Sequence, residues 1–101
     1  MPEHNLIAPL HPGEVLAEDF MKPVGLSMNA LAMEIRVPAS RIHAIVKGTR
    51  GITADTALRL GRYFSTTNEF WMNLQARYDL DVAVDESRKE IELSIRPRNA
   101  A

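Results

Sequence analysis

The chain is 101 residues long, 46% apolar and 25% charged, with a net charge of −1 and no cysteine. That is enough apolar surface for one small folded domain, which excludes a wholly disordered chain. The missing thiols exclude a disulfide scaffold, thiolate metal sites and a cysteine nucleophile, and no apolar run approaches the roughly 18 to 20 residues of a membrane helix.

Proline and glycine divide the chain into short segments whose apolar spacing is helical. The opening Met1-Pro2-Glu3-His4 lacks the basic and apolar stretches of a secretory leader, so a cytoplasmic protein without a membrane partner is expected. Residues 1–9 read as a flexible arm. The first helix is predicted from Pro12-Gly13-Glu14 to Pro23, with Leu16 and Phe20 on one face. Proline suits a first helical turn, and Glu14 and Glu18 sit near the positive end of its dipole.

Ser27 is a good N-cap for a second helix, in which Met28, Leu31, Ala32 and Ile35 make an amphipathic stripe. It ends at Arg36-Val37-Pro38, because a residue before proline is pushed out of the α region. The third helix is predicted over Pro38 to Lys47, with Ile42, Ile45 and Val46 inward. Ser40, His43, Ala44 and Lys47 form the opposite stripe, Arg41 stands beside it, and Gly48 follows as a stop. The fourth helix starts at Thr53 and is predicted to bury Ala54, Ala57, Leu58, Gly61 and Phe64. The fifth starts near Thr67 or Asn68, with Phe70, Trp71, Leu74 and Tyr78 along its apolar side. Beyond residue 80, Ile91 and Ile95 fit a helix, while Ile91, Leu93 and Ile95 fit a strand. The helical extension is the expectation for 81–101. The fold expected is all-α, five helices over 10–80.

Charge is unevenly placed. Residues 1–35 set Lys22 against five acidic side chains, for −4. Residues 36–62 set six basic side chains against Asp55 alone, for +5. Residues 63–101 carry −2. A basic centre can neutralise phosphates or simply form solvated helix faces. Helices two and three settle the preference towards nucleic acid. Two helices of about nine residues joined by a three-residue turn form a helix-turn-helix, whose second member offers a polar, basic stripe to a major groove.

On that geometry Arg41, in the first turn of the third helix, suits bidentate contact with guanine, with a phosphate clamp or surface ion pair as the alternative. Ser40 is a base contact or a cap. His43 is a base contact or an ordinary surface histidine. Lys47 suits a phosphate, and Ala44 a thymine methyl. Thr49, Arg50 and Thr53 surround a helix start whose backbone N–H groups can hold a phosphate, and Ser27 and Asn29 can grip the opposite backbone. Arg59 and Arg62 read as structural or solvent-facing. Phe70, Trp71, Leu74 and Tyr78 read mainly as core, with part of the stripe, together with the residues that follow it, the expected dimer interface. His4, His11 and His43 are scattered without a ligand-spaced partner, so no metal and no other cofactor is expected. No catalytic spacing is present, and no enzyme is read.

Three segments resemble a known family. Leu26-Ser27-x-Asn29-Ala30-Leu31-Ala32 leads into Val37-Pro38-x-x-Arg41-Ile42-x-x-Ile45-Val46-x-Gly48-x-Arg50-Gly51-Ile52-Thr53-x-Asp55-Thr56-Ala57-Leu58-Arg59-Leu60. This resembles the phage-repressor-like (XRE) helix-turn-helix superfamily. With His11-Pro12-Gly13-Glu14-Val15-Leu16 before it and Glu69-Phe70-Trp71-x-Asn73-Leu74-Gln75-x-Arg77-Tyr78-Asp79-Leu80 after it, the chain is similar over residues 10–82 to the HigA-type antitoxins, also called the VapI or plasmid-maintenance antidote family.

The resemblance implies a homodimer that binds operator double-stranded DNA, represses its own operon and neutralises a HigB-type, RelE-like ribonuclease toxin. The extension over 81–101 is expected to contact the dimer mate or that toxin. A stand-alone repressor of the same fold, without a toxin, is the alternative. The sequence departs from the common pattern at three places. Met28 replaces a frequent glutamine, Arg36 a frequent glycine, and His43 a frequent asparagine.

Overall fold

Side-chain caps set the starts of most helices in this computed structural model, which describes residues 8–99. The Nδ1 of His11 accepts from the Gly13 amide at 2.9 Å and starts α1, Pro12–Val15. The helix widens into a π-helical stretch, Leu16–Met21, and tightens into a 3-10 turn, Lys22–Val24, that contains Pro23. The single helix predicted here is therefore one path with three hydrogen-bond registers. Ser27 caps α2, Met28–Ile35, and Thr53 caps α4, Ala54–Phe64. Thr67 caps α5, Asn68–Ser94. By contrast α3, Ala39–Lys47, starts without a side-chain cap, from extended Pro38. Among the described residues there is no strand.

The core lies where α1, α2, α3 and α4 close over the first half of α5. Leu16, Leu31, Ile42, Ile45, Leu60 and Trp71 are fully enclosed. Phe20, at the end of the π-helical stretch, lies 4.9 to 5.7 Å, centroid to centroid, from Phe64, Phe70 and Trp71. Such aromatic clusters contribute beyond their buried area. The Trp71 indole Nε1 donates to Thr66 Oγ1 at 2.7 Å, so the largest core side chain buries no unpaired polar atom.

Three expectations need correction. Leu58 and Ala54 of α4 are exposed, Leu58 by 55%. The inward face is Thr56, Ala57, Leu60 and Gly61. A helical period admits either Leu58 or Leu60, and the approach of α5 decides between them: a Cβ on Gly61 would stand 2.7 Å from Asn68 Oδ1 and 3.1 Å from the Thr66 carbonyl. Trp71 cannot lie in a dimer interface, because it has no exposed surface. Phe70 and Leu74 also pack on the chain's own core, and Tyr78 lies edge-on to His11 at 4.7 Å. Finally, residue 80 is no boundary, since α5 crosses it without a break and carries the helical extension to Ser94. The expected arm lies, for residues 1–7, outside the described residues. Among the described residues no helix is long and apolar enough to cross a membrane.

Candidate nucleic-acid interface

The site is built on α2, the turn after it, and α3. Ser27 Oγ accepts from the Ala30 amide at 3.0 Å and fixes the start of α2. At the other end Arg36 adopts the left-handed conformation (φ 62°, ψ 49°). This lets its amide and that of Val37 close back on α2, Val37 N reaching the Ala32 carbonyl at 3.0 Å. Pro38 then restarts the chain as α3. Ile42 and Ile45 are fully buried in the same core as Leu31, Ala32 and Ile35. With one stripe of α3 locked inward, period 3.6 turns Ser40, His43, Ala44 and Lys47 outward. Ser40 and Lys47 are exposed, and His43 and Ala44 half-buried.

Two polar links hold α3 at its angle. His43 Nε2 lies 3.1 Å from Asn29 Oδ1, which joins the outer stripe of α3 to the first turn of α2. The ring nitrogen donates and the amide oxygen accepts. On the far side, one oxygen of Asp55 accepts from both Arg41 Nη1 and Arg59 Nε, each at 2.9 Å. Arg59 Nη1 also donates to the carbonyls of Ile35 at 2.9 Å and Arg36 at 3.3 Å. Asp55 and Arg59 thus tie α4 to the first turn of α3 and to the last carbonyls of α2. The two guanidinium groups hold the Asp55 carboxyl below its ordinary pKa, with the bond from Arg59 the larger cause.

Arg41 is therefore not a free reader in this conformation. Its side chain is only 23% exposed, and its Nε is buried without a hydrogen-bond partner among the described residues. The ion-pair alternative describes it.

The loop from α3 to α4 is rigidly seated. Gly48 turns left-handed at φ 84° and Thr49 Oγ1 donates to the Ala44 carbonyl at 3.2 Å. The Ile52 amide donates to Gln75 Oε1 of α5 at 2.6 Å. Beneath the loop, buried His11 caps α1, lies against Tyr78 and hydrogen-bonds the Arg50 backbone. Burial is the largest influence on the ring and pushes its pKa down, opposed by Glu14, Asp79 and that backbone bond. Arg50 is left exposed above, with Thr49 and Thr53 beside it.

The three expected groups thus stand on linked elements: Ser27 and Asn29 at the start of α2, the Ser40–Lys47 stripe on α3, and Thr49, Arg50 and Thr53 around the start of α4. Of the six basic side chains in the central segment, Arg41 and Arg59 are taken by Asp55. Lys47 and Arg50 make no ion pair among the described residues. Sequence reasoning missed the Asp55 brace and the Gln75 tether. The i, i+4 spacing of Asp55 and Arg59 was a visible signal for half of the brace. Arg41 and Gln75 reach partners 14 and 23 residues away, which no local pattern encodes.

No protein-family model matches the chain. Individual relatives do. Virulence-associated protein I of Dichelobacter nodosus is 48% identical over 90% of this chain and 83% of its own length. An addiction module antidote protein of a HigA family from Coxiella burnetii superposes with a TM-score of 0.87 at 48% identity, over 91% of this chain and all of that one. A Pseudomonas aeruginosa antitoxin HigA, solved with the higBA promoter, gives 0.88 at 46% identity over 90% of this chain and 99% of that one. The chain belongs to the HigA antitoxin family.

The three departures of this HigA-type chain each have a place in the fold. Met28 packs against the core rather than facing outward as a polar group. Arg36 takes the left-handed conformation that glycine adopts at no steric cost. His43 is held by Asn29.

Proposed function

We propose that this chain is an antitoxin that represses its own operon by binding operator DNA as a homodimer and that neutralises a HigB-like ribonuclease toxin. The observation that carries the DNA part is the α2–α3 platform, in which one stripe of α3 is buried in the core and the opposite stripe, Ser40, His43, Ala44 and Lys47, is turned outward. The promoter complex of the Pseudomonas aeruginosa relative supports the same reading. Family membership supports the toxin part.

In this reading α3 enters the major groove. Ser40, His43 and Ala44 meet base edges, and Arg41 contributes to the extent that it leaves Asp55. Lys47, Arg50, Thr49 and Thr53 bind one phosphate run, and Ser27 and Asn29 the other. The chain acts by binding, without chemistry on its partners. Two copies place two recognition helices about 34 Å apart along the DNA.

The test is a titration of the DNA upstream of its own gene at several salt concentrations, followed by co-expression with the neighbouring small reading frame. Specific binding that falls steeply with salt, and a toxin that co-purifies, support the proposal. A flat salt response contradicts the DNA reading. Failure to co-purify, with growth arrest unrelieved, contradicts the antitoxin reading and leaves a repressor.

A further inference from the structure

The basic centre of the chain contains a single carboxylate. Among residues 36–62 Asp55 is the only acidic side chain, against six basic ones. It stands in the first turn of α4 and is more than half exposed. On a surface that meets a polyanion such a charge is out of place, because it repels phosphates and cancels part of the attraction that Lys47 and Arg50 supply. A helix N-terminus favours an acidic residue, but that accounts for a charge at this position and not for its grip on another helix.

The geometry shows which cation it controls. Asp55 Oδ2 accepts from Arg41 Nη1 and Arg59 Nε, each at 2.9 Å. Arg59 is itself fixed, since its Nη1 donates to the carbonyls of Ile35 and Arg36 at the end of α2. The carboxylate therefore grips Arg41 from an anchored point. Arg41 Nε is buried and has no hydrogen-bond partner among the described residues. An unpartnered buried donor is costly, so without Asp55 this side chain would swing out to water. An arginine free to swing follows the nearest phosphate of any DNA. One that is held meets only what the docking of α3 brings to it, and its charge is already offset.

Resting on the DNA-binding reading above, we infer that Asp55 is a specificity-determining residue of operator binding: its carboxylate, anchored by Arg59, holds Arg41 in place and withholds that cation from the phosphates of unrelated DNA. Asp55 is a positioning residue, because it acts through Arg41. The effect falls on discrimination between sequences. Non-specific binding is almost wholly electrostatic, so it gains most when Arg41 is released. Operator binding also rests on base contacts from the Ser40, His43 and Ala44 stripe. It gains the same attraction but loses the aim of Arg41, so it changes little.

The experiment measures the Kd of the full chain for a duplex of its own promoter and for a scrambled duplex of the same length, each at several salt concentrations. Circular dichroism checks that every variant is folded. The variants are Asp55→Asn, Asp55→Glu, Arg41→Ala, the Arg41→Ala/Asp55→Asn double variant, and Glu69→Gln, which removes an equal charge from an exposed position at the start of α5. Asparagine keeps the shape and an acceptor for both arginines, and the site is exposed, so the buried core is untouched. Asp55→Asn is expected to tighten binding to the scrambled duplex by about tenfold and to steepen its salt slope by about 1, while operator affinity moves by less than about threefold. Asp55→Glu restores the charge and is expected to return both affinities to within about threefold of wild type. In the Arg41→Ala background, Asp55→Asn is expected to change scrambled binding no more than Glu69→Gln does.

Operator and scrambled affinities that fall together in Asp55→Asn assign the residue to the angle of α3 alone and overturn the proposal. Scrambled binding that is unchanged by Asp55→Asn overturns it as well. So does a gain of equal size from Glu69→Gln, or one that persists in the Arg41→Ala background, since either is a plain effect of net charge. A wild-type chain that binds both duplexes equally overturns the DNA-binding reading itself, a distinct result.

Discussion

The turn between α2 and α3 stores strain that one substitution should release. Arg36 sits at φ 62°, ψ 49°, with its carbonyl held by Arg59 and its side chain exposed and in no ion pair among the described residues. Holding a residue with a Cβ in the left-handed region costs roughly 1–2 kcal/mol. Glycine avoids that cost but loses more chain freedom on folding, which offsets part of the gain. Arg36→Gly should therefore stabilise the free protein by about 1 kcal/mol, which for a domain of this size is about 4–8 °C in melting temperature. Arg36→Ala is the control, since it removes the charge and keeps the Cβ, and its melting temperature should stay near the wild-type value. Ser65, at φ 60°, ψ 38° after α4, is a second site of the same kind, and Ser65→Gly should give a gain of the same sign. Thermal melts followed by circular dichroism, without DNA, decide the matter. A melting temperature for Arg36→Gly equal to or below that of Arg36→Ala refutes the strain at this turn.

Other perturbations follow from the same contacts. His11 is neutral in the fold and its pKa is lowered by burial, so the unfolded chain binds the extra proton first. Stability should be full above about pH 6.5 and fall as the pH drops below it. His11→Asn, which keeps a cap acceptor, should flatten that acid slope in melts between about pH 7.5 and 5. Gly13→Ala would drive a Cβ into the Ile45 carbonyl oxygen of α3 and should cost more than about 3 kcal/mol in denaturant titrations. Lys47→Ala should weaken operator binding evenly across sequences and lower the salt slope by about 1. Arg41→Ala should cost about 1–3 kcal/mol of operator binding and relax one position per half-site. A loss spread over all sequences instead assigns Arg41 wholly to its brace with Asp55.

Much of this is legible in the chain itself, because the signals are local. Ser27, Thr53 and Thr67 cap the helices they are expected to start, and the Met28–Ile35 and Ile42–Val46 stripes face inward. The α2–turn–α3 unit follows from those stripes and from Pro38. What stays hidden depends on contacts between distant segments. Leu58 and Leu60 are equivalent to a periodic reading until α5 packs on α4 at Gly61. Trp71 reads mainly as core in the sequence, and only its enclosure by Thr66 and Phe20 removes it from the expected interface. Arg41 looks like a free cation at the head of a recognition helix, and only folding brings Asp55 to it. The same holds for His11, whose cap over Gly13 is local but whose place under the Arg50 loop is not.

The functional proposal stands on the outer stripe of α3, with the start of α2 and the loop into α4, as the surface that meets DNA. Backbone amide shifts, followed by NMR as the ¹⁵N-labelled full chain is titrated with a duplex of its own promoter, report on that surface residue by residue. The largest changes are expected at 27–29, 40–47 and 49–53, with the C-terminal half of α5 little affected. Changes concentrated along residues 80–95, with Ser40, His43 and Lys47 unmoved, would contradict it.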